Sequence, residues 1–150
     1  MDTDRTILLA EDSADDVLLT RIAFRKSRLV NHLEVVSDGE EAIAYFKGMG
    51  RFSDRTRFPL PILLLLDLNM PKVTGFEFLE WFRQRKEFEA LPVAILTSSE
   101  KDPYAERAFE LGANSFLVKP PDAGALLALV QRLHAGWEIV PERELVQVAS

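Results

Sequence analysis

The chain contains no cysteine. That absence excludes a disulfide framework, a thiolate metal site and a cysteine nucleophile, and it suits a reducing compartment. Histidine is scarce: His32 and His134 are the only two, and neither has a ligand partner at metal spacing, so both read as ordinary surface or edge residues rather than members of a triad or a zinc site. There is no excess of basic charge either. The formal net charge is −6, which argues against nonspecific nucleic-acid binding or attraction to anionic lipid. No apolar run approaches the length of a membrane span, and the opening Met-Asp-Thr-Asp-Arg lacks a basic segment followed by an apolar one. A soluble, cytoplasmic protein that contacts neither nucleic acid nor membrane is the expectation.

What the chain does have is apolar content. At 150 residues and 47% hydrophobic it can build one domain with a real core. The stretch Ile62 to Pro71 organises the rest: four consecutive leucines run into Asp67, and Pro71 forbids a regular continuation. An apolar run without polar alternation fits a parallel strand covered on both faces, and such strands carry their chemistry at their carboxyl ends. An Asp in that position is on its own most simply a turn or capping residue. The remainder of the chain changes this balance.

Thr6 to Ala10 reads as a short buried strand ending in Glu11-Asp12. Ser13 suits a helix N-cap, with Asp16 three residues on completing a capping-box pattern and Asp15 at the positive end of the helix dipole. The helix runs to about Ser27, with Leu19, Ala23 and Phe24 facing the sheet and Arg21, Arg25 and Lys26 facing water. His32 to Val36 alternates like an edge strand, and Asp38-Gly39-Glu40-Glu41 caps a helix through Lys47. Gly48 to Pro61 is a long loop: either a solvated connection anchored by Phe52 and Phe58, or a partner surface built with Arg51, Arg55 and Arg57. A helix from Phe76 to Phe88 buries Phe78, Leu79 and Phe82 and exposes Glu77, Arg83 and Arg85. Pro92 to Leu96 is a fourth strand, Asp102-Pro103 opens a helix that Gly112 stops, Ser115 to Val118 is a fifth strand, and Asp122 caps a last helix ended by Gly136.

Five strands alternating with five helices specify a parallel sheet with helices on both faces. The strand tips then carry Glu11 and Asp12, Asp67, Thr97 with Ser98, and Lys119. Three crowded carboxylates repel one another unless a cation neutralises them, and Mg²⁺, a hard ion that takes oxygen ligands and keeps several waters, answers that need. Asp12 and Asp67 would bind it, Glu11 would hold a coordinated water, and one Asp67 oxygen would stay available as a nucleophile toward a phosphoryl group. Lys119 and the Thr97 hydroxyl would contact the other phosphoryl oxygens.

Glu11-Asp12, Asp67 within Asp-Leu-Asn-Met-Pro, Thr97 and Lys119-Pro120, at these spacings, resemble the full site of the response-regulator receiver domain, and the resemblance covers roughly residues 6 to 136. It implies a flavodoxin-like α/β fold with strand order 2-1-3-4-5, Asp67 as phosphoacceptor, Mg²⁺ held by Asp12, Asp67 and the Asn69 carbonyl with Glu11 acting through water, Thr97 as switch hydroxyl, Lys119 on the phosphate, and a cis Lys119-Pro120 peptide. Phe116 stands where such domains carry a rotating aromatic; a switch and a plain core phenylalanine are both open for it. The Gly48–Pro61 loop, the Asp-Leu-Asn-Met-Pro-Lys run, Leu-Thr-Ser-Ser and the Trp137-bearing tail look like the stand-alone regulators that partner bacterial phytochrome histidine kinases. The resemblance thus implies a sensor histidine kinase as donor and regulation through a downstream protein or onward phosphotransfer, not turnover of a free substrate.

Three other readings use the same residues. An aspartyl-phosphate-forming phosphatase needs a second Asp two residues after the first, where this chain has Asn69. A flavin-binding protein of this topology would cradle phosphate after the first strand, where Glu11-Asp12 repel it. A phosphorylation-independent binding module would keep the fold without the chemistry. Residues 137–150 are too few for a DNA-binding output module, so the tail Trp137-Glu138-Ile139-Val140-Pro141 is expected to pack on the domain or across a homodimer.

Overall fold

The computed structural model describes residues 6–98 and 102–134. Five strands form one parallel sheet: β1 (Ile7–Ala10), β2 (Leu33–Val36), β3 (Leu63–Asp67), β4 (Val93–Thr97) and β5 (Ser115–Val118), in the order β2-β1-β3-β4-β5. Between and after them run α1 (Ala14–Ser27), α2 (Gly39–Lys47), α3 (Gly75–Arg83), α4 (Pro103–Glu110) and α5 (Ala123–His134). None of these helices is long and apolar enough to cross a membrane.

The four-leucine run has no polar alternation because both its faces are covered. Leu64 and Leu66 join Leu8, Ala10 and Ile95 in the core beneath α2, α3 and α4, whereas Leu63 and Leu65 join Ile7, Leu9 and Leu96 beneath α1 and α5. All four leucines are fully buried. At roughly 2 kcal/mol for each such side chain, this strand alone supplies several kcal/mol of the driving force that fixes the sheet.

Strand register decides which residues share the sheet's carboxyl edge. Ala10 pairs with Leu66, so Glu11 is level with Asp67. Asp67 pairs with Leu96, placing Thr97 one residue further out, and Thr97 pairs with Val118, placing Lys119 next to it. The Lys119 amide donates to the Thr97 carbonyl at 2.8 Å, which locks that last step.

Four sequence expectations need correction. On α1 the inward residues are Thr20, Ala23, Phe24 and Ser27, and Leu19 is 41% exposed. The Ser13 capping box is only half formed: Ser13 Oγ accepts from the Asp16 amide, but the Ser13 amide goes to Glu11 Oε2, not to Asp16. The helix expected from Phe76 to Phe88 ends at Arg83 and is followed by a 3₁₀ turn, Lys86–Phe88. A continuous helix would rotate Phe88 by roughly 240° from Phe82; the break returns it to the core, where the two rings stack 4.9 Å apart. Finally, Arg83 is not an outer-face residue. Its guanidinium donates to the carbonyls of Gly112 and Phe88 and to Asn114 Oδ1, and the buried Val93 amide shares that Asn114 oxygen.

The Gly48–Pro61 connection is a solvated one anchored by its two phenylalanines, with Met49, Gly50, Arg51, Ser53, Asp54, Thr56, Arg57 and Leu60 exposed. Phe52 and Phe58 are buried against Tyr45, Tyr45 donates its hydroxyl to the Pro59 carbonyl, and Arg55 turns inward to the carbonyls of Tyr45 and Phe52. Arg51 and Arg57 remain exposed. Gly136 and the 137–150 tail lie outside the described residues.

Candidate functional site

Asp67 is the last residue of β3 and is only 4% exposed. The chain folds back over it at once: the Asn69 amide donates to Asp67 Oδ1 at 3.3 Å, and the Gly75 amide donates to the Leu68 carbonyl at 3.1 Å. A Cβ on Gly75 would lie 2.6 Å from Leu68 Cα and 2.8 Å from the Asp67 carbonyl, so only glycine lets α3 start this close to the acid. Lys72 adopts a left-handed backbone (φ 68°) in the intervening loop.

Glu11, Asp12 and Asp67 each present a carboxylate oxygen, all within 4.8 Å of one another. Asp12 is exposed, whereas Glu11 and Asp67 are buried. Burial pushes the Glu11 carboxyl up to about 7, with the Asp67 charge adding to the rise and the Lys119 ammonium opposing it. Glu11 Oε1 lies 2.8 Å from Lys119 Nζ as an ion pair without a directed hydrogen bond. A buried, underbonded oxygen beside two further carboxylates fits a hard divalent cation of the Mg²⁺ kind, which takes oxygen donors and relieves this repulsion.

Lys119 carries the opposing charge. Its Nζ contacts Glu11 Oε1 at 2.8 Å, Asp16 Oδ2 at 3.2 Å and Asp67 Oδ1 at 3.4 Å. Burial penalises its charge, but the carboxylates of Glu11, Asp67 and Asp16 outweigh that penalty and hold its pKa above the ordinary lysine value. The peptide that follows it, Lys119–Pro120, is cis. Thr97 is 3% exposed, and its hydroxyl donates to Asp102 Oδ2 at 2.8 Å. Phe116 is half-buried on β5, its ring edge-on to Phe109 at 6.2 Å.

Glu11, Asp12, Asp67 and Lys119 therefore converge, with Thr97 adjoining them at the end of β4. Asn69 is exposed and reaches the cluster through its amide. Two participants went unread in the sequence. Asp16 reads in the sequence as a capping residue and Asp102 as a helix cap alone; the placement of each at a helix amino end that follows a strand tip is the available signal. The geometry speaks against flavin phosphate after β1, because Glu11 Oε2 already occupies the Ser13 amide. It offers no carboxylic acid at Asn69 for the phosphatase reading.

The profile of the response regulator receiver domain matches residues 7–131. Response regulator Rcp1 of Synechocystis is 32% identical over 133 residues, covering 89% of this chain and 88% of Rcp1. Among solved structures, the bacteriophytochrome response regulator RtBRR superposes with a TM-score of 0.77 at 36% identity, over 92% of this chain and 82% of its own. The bacteriophytochrome response regulator AtBRR gives 0.75 at 38% identity, over 92% and 98%. A structure of Rcp1 in its Mn²⁺-bound form gives 0.68 at 32% identity, over 87% and 92%.

Proposed function

Because this chain belongs to the response regulator receiver domain family, we propose that it is a phosphoacceptor of a two-component pathway and that Asp67 takes the phosphoryl group from the phosphohistidine of a sensor kinase. The observation that carries this reading is the placement of Asp67 Oδ1, 3.4 Å from the Lys119 ammonium within the Glu11–Asp12–Asp67 cluster. An Asp67 carboxylate oxygen forms a bond to phosphorus as the P–N bond to histidine breaks, and the kinase histidine, already protonated on its other ring nitrogen, leaves as neutral imidazole. Lys119 steadies the charge on the phosphoryl oxygens. The Asp12 and Asp67 carboxylates and the Asn69 carbonyl would hold Mg²⁺, with Glu11 acting through water; the bound ion supplies positive charge against the transferring group. Thr97 turns its hydroxyl to the new phosphoryl group, and Phe116 repacks behind it.

The similarity to Rcp1 and to bacteriophytochrome response regulators supports a phytochrome-type histidine kinase as donor. In this reading the protein works in the cytosol and regulates a downstream partner or relays the phosphoryl group. The test is intact mass after incubation with acetyl phosphate, with and without Mg²⁺, for wild type and Asp67→Asn. One phosphoryl adduct that requires both Mg²⁺ and Asp67 is expected. If neither an adduct nor a beryllium fluoride complex forms in protein that binds Mg²⁺, the chain is a phosphorylation-independent binding module instead.

A further inference from the structure

We infer that Asp16 is a positioning residue for the phosphoryl chemistry: it holds the Lys119 ammonium from the α1 side. This rests on the reading of Asp67 as phosphoacceptor.

The case begins at the half-formed cap of α1. In a complete capping box the third helical residue reaches back to the cap amide, as Glu77 does to Thr74 on α3. At α1 that slot is taken, since the Ser13 amide donates to Glu11 Oε2. The carboxylate of Asp16 is thereby released from local duty. It reaches across to a residue 103 positions away, with Oδ2 at 3.2 Å from Lys119 Nζ. Its own backbone is held on both sides, with the amide bonded to Ser13 Oγ and the carbonyl to the Thr20 hydroxyl at 2.9 Å. A short side chain on so constrained a backbone makes a rigid anchor.

An ammonium has three protons, and Lys119 faces three carboxylates. Two of them, Glu11 and Asp67, belong to the oxygen cluster suited to a divalent cation; Asp16 does not. When that cluster is neutralised, Glu11 and Asp67 attract the ammonium less. Asp16 is then the one partner of the three whose charge is undiminished. It keeps Nζ beside the Asp67 oxygens and stops the four-carbon stem from swinging out to water. Orientation errors of an ångström in a charge-stabilising group cost up to about a hundredfold in rate.

Three substitutions and two readouts test this. In metal-free protein, Asp16→Asn is expected to raise the reactivity of Lys119 toward an amine-acylating reagent, scored by peptide mass spectrometry, several-fold over wild type. With Mg²⁺ and acetyl phosphate, the same variant is expected to form the Asp67 adduct about tenfold more slowly. In a Lys119→Ala background, Asp16→Asn is expected to change nothing further, whereas a structural role at the helix terminus would add its effect. Asp15→Asn, which removes an exposed carboxylate from the same helical turn while leaving the Ser13–Asp16 bond in place, is expected to leave both readouts near wild type. Unchanged acylation of Lys119, or a rate loss that persists without Lys119, overturns the inference. The acylation arm involves no phosphoryl transfer, so it decides for Asp16 even if wild type takes no phosphoryl group, an outcome that would count against Asp67 as phosphoacceptor instead.

Discussion

The Thr97 hydroxyl donates to one oxygen of Asp102 at 2.8 Å while the other oxygen of Asp102 accepts the Tyr104 amide at 2.9 Å. One carboxylate thus ties the end of β4 to the first turn of α4. Removing it by Asp102→Ala deletes an N-cap and the bond from the Thr97 hydroxyl, so a loss of about 1–2 kcal/mol is expected in urea unfolding. Asp102→Asn retains most of the cap and should lose less. Under the proposed function, Thr97 cannot serve Asp102 and a phosphoryl group with the same proton. Beryllium fluoride should therefore speed amide exchange in the first turn of α4, and Thr97→Val should abolish that response.

Glu11 gives a pH dependence whose sign follows from its raised carboxyl, at about 7 against an ordinary 4.5. Between those values the folded, metal-free protein binds more protons at this site than the unfolded chain does. Its contribution to stability is therefore present at low pH and is lost as pH climbs from about 4.5 to 7. Glu11→Gln removes the titration. In chelator, the stability of Glu11→Gln relative to wild type should rise across that window and level off above it. The same variant should bind Mg²⁺ roughly 10–100-fold more weakly by calorimetry, the usual cost of removing a residue that orients bound water.

Tyr45 titrates in the same sense at the alkaline end of the scale. Burial, aided by the Glu34 charge and opposed by Arg55, pushes its phenol up to about 12 from 10. The neutral form is the one the fold prefers, so stability should fall as pH rises from 10 to 12. Absorbance of tyrosinate should show one of the two tyrosines lagging until unfolding. Tyr45→Phe should remove the lag and cost about 1 kcal/mol through loss of the bond to the Pro59 carbonyl.

Arg83 separates stability from the site. It ties the end of α3 to the Phe88 and Gly112 carbonyls and to Asn114, at the amino ends of β4 and β5, opposite the carboxylates. Arg83→Ala is expected to cost about 2–3 kcal/mol in urea unfolding, the cost of stripping several partners from a half-buried cation, while leaving Mg²⁺ affinity unchanged.

Much was readable in the sequence because it is local. An unbroken leucine run closed by Asp67 and Pro71 fits a strand covered on both faces, and Asp38, Thr74 and Asp102 sit before their helices as caps must. Glu11, Asp12, Asp67, Thr97 and Lys119 fall at strand ends, where parallel sheets gather chemistry, so their convergence followed from the alternation of elements. Other features depend on partners far away in the chain. Arg83 has the helical phase of an exposed residue and turns inward only because the Gly112 and Phe88 carbonyls and Asn114 are brought to it. The helix before Phe88 ends at Arg83, and the 3₁₀ turn that follows sets the Phe88 ring on that of Phe82. Asp16 has the sequence context of a cap, and only the assembled sheet, with α1 packed against α5, brings Lys119 within its reach. Hydrophobic period and capping chemistry act over a few residues and are written in order along the chain; ion pairs and ring contacts act through space, and register and packing alone determine which of them form.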